Sequence, residues 1–76
     1  MSAAALDARG LLCPLPVLKA RKRLVPLAAG EVLEMLADDP AAIVDVPHFC
    51  AEQGHALIAQ EPAVGGATLY RIRKGG

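Results

Sequence analysis

The sequence predicts a two-layer α/β sandwich, with two helices packed on one face of a four-stranded mixed sheet. Three observations support this fold class. Short apolar runs alternate with amphipathic helical patterns, glycine and proline turn signals separate them, and the last two runs flank a glycine-rich loop. The order is therefore strand, helix, strand, helix, strand, strand. At 76 residues, the whole chain (1–76) is expected to form one small domain.

The first half of the chain holds a weak strand around residues 4–8, a strong helix, and a second strand at 31–37, "EVLEMLA". The helix follows Gly10 and is amphipathic. Pro26 is expected to end or kink it, because an internal proline removes a backbone donor and clashes with the preceding turn. The apolar face is Val17, Ala20, Leu24 and Leu27 or Ala28, and the opposite face is Lys19, Lys22 and Arg23.

A second helix is expected to begin where Asp39 acts as N-cap and Pro40 occupies the first helical position. It should run to about Gln53, with Gly54 as its C-terminal cap. Pro47 should bend this helix or divide it in two. The predicted buried stripe, at helical spacing, is Ile43, Val46 and Cys50.

The last two strands, at 56–61 and 68–74, form a predicted hairpin around the loop "PAVGGA". The final strand should have one buried and one solvent-facing side. Its buried pair is Tyr70 and Ile72, and its solvent-facing pair is Arg71 and Arg73.

Composition excludes several classes of function. Lys+Arg and Asp+Glu are equal at 8 each, so the basic excess expected of a nucleic-acid-binding domain is absent, and no direct nucleic-acid partner is expected. The N-terminus does not resemble a signal peptide and no run approaches transmembrane length, so we expect a cytoplasmic location without a membrane partner. Two cysteines, Cys13 and Cys50, are too few for a disulfide scaffold and are expected to be free thiols. We expect a monomer.

The segment "LDARGLLCPLP" (6–16) places Cys13 where the first helix begins. With Cys13 as N-cap, Pro14 would start the helix and Pro16 would remove one backbone donor that could bond the sulfur, leaving only Leu15. The positive end of the helix should stabilise a thiolate and lower the pKa of Cys13. Nearby cations should strengthen this effect, namely Lys19, Arg21, Lys22 and Arg23.

The residues alone leave two interpretations of Cys13 open, a nucleophile and a small apolar side chain that fills the strand–helix corner. The chain has no C-x-x-C, so a thioredoxin-like dithiol is excluded. Neither His48 nor His55 has a metal-site spacing to the cysteines, so no metal site is predicted. A cysteine-hydrolase pair with either histidine stays open, although so short a chain has little room for a substrate cleft. Cys50 is predicted to be core, and His55 structural.

Two segments resemble the TusA/SirA family of small sulfur carriers, whose signature is Cys-Pro-x-Pro at the start of the first helix. They are "LDARGLLCPLPVLKARK" and "LADDPAAIVDVPHFCAEQGHAL", and the ending "RIRKGG" is similar as well. The resemblance covers roughly residues 6–76 and implies the same β-α-β-α-β-β sandwich.

This resemblance implies a persulfide relay without a cofactor. A cysteine desulfurase or rhodanese donor would place a sulfur atom on Cys13, and the carrier would pass it to a downstream acceptor protein. The implied end product is 2-thiouridine at the tRNA wobble position, while related carriers serve dissimilatory sulfur oxidation. From another class of function, the alternative is a non-catalytic interaction or regulatory module in which Cys13 is only structural.

Three further residues, Leu15, Lys19 and Arg21, are predicted to contact a partner protein, the basic ones by binding an acidic rim around its sulfur site. Asp7 and Arg9 are expected to form an ion pair that shapes the Cys13 loop. The terminal Gly75-Gly76 could carry a thiocarboxylate, as in ubiquitin-like sulfur carriers, but the helix-containing order predicted here differs from that fold.

Overall fold

The computed structural model describes residues 3–76, and side chains from residue 4 onward. Its elements follow the predicted order, with a 3₁₀ turn at Val64–Gly66 between the last two strands. They are β1 (Ala3–Asp7), α1 (Leu15–Leu24), β2 (Val32–Ala37), α2 (Ala42–Gln53), β3 (Ala56–Pro62) and β4 (Thr68–Arg73). The predicted strand, helix, strand, helix, strand, strand arrangement is confirmed.

The four strands form one mixed sheet in the order β1-β2-β4-β3. β1 and β2 run parallel, whereas β4 lies antiparallel to both β2 and β3. A parallel pair requires a crossover, which α1 supplies. Consequently α1 and α2 each begin after the carboxyl end of one of two neighbouring parallel strands, and both helices start at the same edge of the sheet.

One face of the sheet forms the core with the helices. Side chains alternate along β2, so Leu33, Met35 and Ala37 are buried while the residues between them are half-buried. In β4 the predicted alternation is confirmed, with Tyr70 and Ile72 fully buried. The helices add their own buried side chains, which are Pro16, Ala20 and Leu24 of α1 and Ala42, Val46, Phe49 and Cys50 of α2.

The C-terminal end of α1 is set by a proline and stabilised by a lysine. α1 ends at Leu24, two residues before Pro26, as the proline predicted. The Lys74 ammonium donates to the carbonyl oxygens of Val25 and Leu27 at 2.9 and 2.7 Å, and so satisfies acceptors at the C-cap of the helix and just beyond it.

α2 differs from the prediction in three ways. It begins at Ala42 with Ala41 as N-cap, so the predicted start with Asp39 as N-cap and Pro40 as first residue is wrong by two residues. It is continuous through Pro47, so of the two predicted effects of this proline, a bend or a division, the division is wrong. Its buried stripe contains Ala42 rather than Ile43, which is 50% exposed, because the residue four positions before Val46 faces the sheet. Its end at Gln53 is confirmed, and Gly54 adopts the left-handed conformation (φ 76°) that the predicted cap requires.

Within residues 3–76, no helix is both long enough and apolar enough to span a membrane.

Candidate functional site

Cys13 lies in the loop between β1 and α1, where two acidic residues of the next loop hold the backbone. Asp38 Oδ1 accepts the Gly10 N–H at 2.9 Å, and Asp39 Oδ2 accepts the Cys13 N–H at 2.5 Å. The other Asp39 oxygen accepts the Ala41 N–H at 3.2 Å, just before α2. Asp39 therefore caps the turn ahead of α2, whose N-cap is Ala41, and also fixes the cysteine backbone.

The predicted ion pair of Asp7 and Arg9 is present at the start of this loop. The guanidinium donates from Nε and Nη2 to the two carboxylate oxygens, each at 2.8 Å. These hydrogen bonds lower the pKa of Asp7 to about 2. Both side chains are exposed, so the pair shapes the loop without being buried in it.

The Cys13 sulfur is exposed and donates a hydrogen bond to Asp45, which lies in the first turns of α2. The distance from Sγ to Oδ2 is 2.7 Å. The two groups meet because α1 and α2 begin at the same sheet edge. A shallow groove surrounds them, lined by Cys13, Pro14, Val17, Asp45, His48, Phe49 and Glu52.

This carboxylate contact reverses the predicted effect on the thiol. The pKa of Cys13 is raised, first by the hydrogen bond to Asp45, then by desolvation, and then by the charges of Asp45 and Asp39. The prediction of a lowered pKa is wrong. A nearby anion favours the neutral thiol, and the negative groups lie closer to the sulfur than the expected positive ones.

Three of the four basic residues of α1 lie around a different depression. Lys19, Lys22 and Arg23 line it together with Arg9, while none of them lines the Cys13 groove. Arg23 donates from Nη1 to the Ala5 carbonyl oxygen at 2.8 Å and so ties α1 to β1.

The helix start also differs by one residue from the prediction. Pro14 is the N-cap of α1, Leu15 is the first helical residue, and Pro16 is the second and is buried. The Leu15 N–H, expected to remain for the sulfur, donates to the Leu12 carbonyl oxygen at 2.8 Å. The Cys13–Pro14 peptide bond is cis. Because the Leu15 N–H bonds to Leu12, it is not available to the sulfur, which donates to Asp45 instead.

Four exposed apolar side chains lie within two positions of Cys13 or Asp45 in the chain, Leu12 and Leu15 in one segment and Ile43 and Val44 in the other. We call these four residues the apolar rim. Of the predicted partner contacts, Leu15 belongs to this rim. Lys19 and Arg21 are exposed on α1 but lie outside the Cys13 groove.

The remaining candidates make their described contacts with groups other than the sulfur. Cys50 is buried in α2, as predicted. His48 lines the groove, and its Nε2 lies 3.5 Å from Oε2 of Glu52, one turn further along α2. His55 accepts the Gly75 N–H on Nδ1 at 3.0 Å, and a side chain on Gly75 would collide with the Gly54 carbonyl oxygen. The C-terminal residues therefore pack against the end of α2.

Asp45 is the residue that sequence reasoning missed. It is separated from Cys13 by 32 positions and belongs to no motif around the cysteine. The signal was nevertheless available in the predicted topology. Two helices that follow neighbouring parallel strands begin at one sheet edge, so polar residues in their first turns are candidates to meet.

The chain matches known proteins over nearly all its length. The family model described as "Sulfurtransferase TusA" matches residues 4–74. The sulfur carrier protein TusA of Pseudomonas entomophila is 48% identical over 71 residues, which cover 93% of this chain and 88% of that protein. The crystal structure of a SirA-like protein from Desulfitobacterium hafniense superposes with a TM-score of 0.83 at 26% identity, over 99% of this chain and 100% of that one. The chain therefore belongs to the TusA family.

Proposed function

We propose that the protein carries sulfur as a persulfide on Cys13, accepting it from a cysteine desulfurase or rhodanese and passing it to an acceptor protein. The observation that carries the proposal is an exposed thiol that lines a shallow groove in a chain of this family. A carrier must present the same sulfur atom to two different proteins in turn, which an exposed groove permits.

Each transfer is an exchange at sulfur. The Cys13 thiolate attacks the terminal sulfur of the donor's persulfide, the donor's S–S bond breaks, and its cysteine leaves as a thiolate. Cys13 then carries the persulfide, and the acceptor's thiolate repeats the step on its outer sulfur. The sulfur atom moves with no net oxidation, so the relay requires no redox cofactor.

Leu15 is proposed to contact the partner directly, since it is exposed beside the sulfur at the start of α1. Lys19 and Arg21 are proposed to contact it further along the same helix. The apolar rim would supply the buried centre of such an interface.

The proposed destination of the sulfur is 2-thiouridine at the tRNA wobble position, in the cytoplasm, where free thiols such as Cys13 and Cys50 persist. The support is the 48% identity to a sulfur carrier protein TusA. In a bacterial strain that lacks its own carrier of this family, wild-type protein should restore 2-thiouridine, measured by nucleoside mass spectrometry, whereas Cys13→Ser should not. Unchanged tRNA with both proteins would contradict this destination.

The carrier role itself is tested by incubating wild type, Cys13→Ser and Cys50→Ala with a cysteine desulfurase and cysteine, and then measuring intact mass. Wild type and Cys50→Ala should gain the mass of one sulfur atom, and Cys13→Ser should gain none. Equal sulfur uptake by Cys13→Ser and wild type would overturn the proposal.

A further inference from the structure

The groove around Cys13 is partly lined by acidic side chains, and the apolar rim adjoins Cys13 and Asp45 in the chain. Asp45 and Glu52 both line the groove, and Asp39 accepts a hydrogen bond from the Cys13 backbone N–H. No lysine or arginine is among the residues that line the groove, and Lys19, Lys22 and Arg23 of α1 line the other depression. The one basic side chain among the groove's lining residues is His48, whose Nε2 lies 3.5 Å from Glu52 Oε2.

The contact at the sulfur is fixed from both sides. Asp39 holds the Cys13 backbone N–H, while Asp45 is held in the first turn of α2 by its own N–H, which donates to the Ala41 carbonyl oxygen at 2.9 Å. Asp39 also bonds Ala41 itself. One short segment, residues 39–45, therefore determines the position of both partners in the Sγ–carboxylate contact.

A carboxylate in this position restrains the nucleophile. It accepts a hydrogen bond from the thiol and opposes formation of a second negative charge 2.7 Å away. A carrier with such a contact is poorly reactive while it is alone, since only the thiolate attacks sulfur. A positive group that paired with Asp45 would remove both restraints at once.

We propose that this groove binds a partner surface that carries a lysine or arginine beside its own reactive cysteine, and that this cation pairs with Asp45 and frees the Cys13 sulfur for attack. The proposal rests on the proposed carrier function and names the chemistry of the partner. The apolar rim would contact apolar side chains around that cation, which gives the pair a desolvated setting in which it is strong. The thiol proton passes to water, and the donor's departing thiolate takes one back.

The preference for a cation can be measured without any partner protein. The probes are two methanethiosulfonate reagents of similar size, one with a trimethylammonium group and one with a sulfonate, and the measured quantity is the ratio of their rates of reaction with Cys13. The ratio is divided by the ratio of a small free thiol with the same two reagents, because any thiolate attracts a cationic reagent. Wild type should then favour the cationic reagent by about tenfold, as expected for one further charge a few ångströms from the reacting atom. Raised ionic strength should shrink this ratio in unmodified wild type.

Asp45→Asn should lose most of the preference and should show a lower thiol pKa in a thiolate-absorbance titration. Glu52→Gln is the comparison variant, because it removes a charge from the same groove without a bond to the sulfur, and it should lose much less of the preference than Asp45→Asn. The proposal is overturned by a wild-type ratio near one, by an unchanged ratio in Asp45→Asn, or by an equal loss in Glu52→Gln. Failure of sulfur uptake by wild type from a desulfurase would instead contradict the carrier function, which these reagents do not test.

Discussion

The two cysteines of the chain have raised pKa values for different physical reasons. At Cys13 the largest cause is a hydrogen bond to the Asp45 carboxylate on an exposed surface, whereas at Cys50 the cause is burial alone. A carboxylate can be neutralised by a partner, but burial is relieved only when the helix leaves the core. The restraint on the surface thiol is therefore one that a partner could relieve, as proposed above, while the fold itself restrains the thiol in the core.

The largest expected difference between the two thiols is their rate of alkylation in the native protein. Cys13 should react with iodoacetamide directly, whereas Cys50 must wait for an opening of the structure, which lowers its rate by about a thousandfold or more for a domain of ordinary stability. Peptide mass spectrometry after timed alkylation measures both rates. Denaturant should abolish the difference, and comparable native rates would contradict the burial of Cys50.

The next largest expected difference between the two cysteines is the effect of their substitution on the free energy of unfolding. Cys50→Ser places a hydroxyl among apolar neighbours and should lower the free energy of unfolding by about 1–3 kcal/mol. Cys13→Ser changes an exposed side chain and should stay within about 0.5 kcal/mol of wild type. Urea unfolding followed by circular dichroism measures both, with Cys50→Ala as the variant that keeps the site apolar. A larger loss in Cys13→Ser than in Cys50→Ser would reverse the assignment of core and surface.

The smallest expected effect is on the pH dependence of stability. A folded-state pKa above the ordinary value of 9.0 means that the folded protein holds the thiol proton more tightly, so stability is full below pH 9 and falls as pH rises toward the folded pKa. Cys50→Ala removes this thiol, and so it should remove the contribution of Cys50 to the loss of stability at alkaline pH. That contribution is about 0.4 kcal/mol in the free energy of unfolding at a pH equal to the thiol pKa in the unfolded chain. Unfolding curves between neutral pH and pH 9 check the sign. A steeper alkaline loss in Cys50→Ala would contradict it.

Much of the fold followed from local patterns. Apolar periodicity and the turn residues predicted the order of elements, and Pro26 and Gly54 marked where the two helices end. Pro47 was less informative, because α2 packs on the core along Ala42, Val46, Phe49 and Cys50 and stays continuous despite the missing donor. Tertiary packing outweighed the local preference there.

The candidate site was predictable only in part. The proline motif identified Cys13, but its electrostatic setting depends on Asp45, which is distant along the chain and close in space. Charges adjacent in sequence misled the pKa prediction, since the turns of α1 carry Lys19, Lys22 and Arg23 to another depression. Sequence neighbours give the identity of a reactive group, whereas the sheet topology decides which charges surround it.

The most direct test of the account is to locate the transferred sulfur in wild-type protein by fragmentation mass spectrometry after a single round of loading from a desulfurase. The account predicts that the added sulfur atom lies on the Cys13 peptide, with none on the Cys50 peptide and none on the terminal Gly75-Gly76. Sulfur on Cys50 or on the C-terminal carboxylate, with Cys13 unmodified, would contradict it.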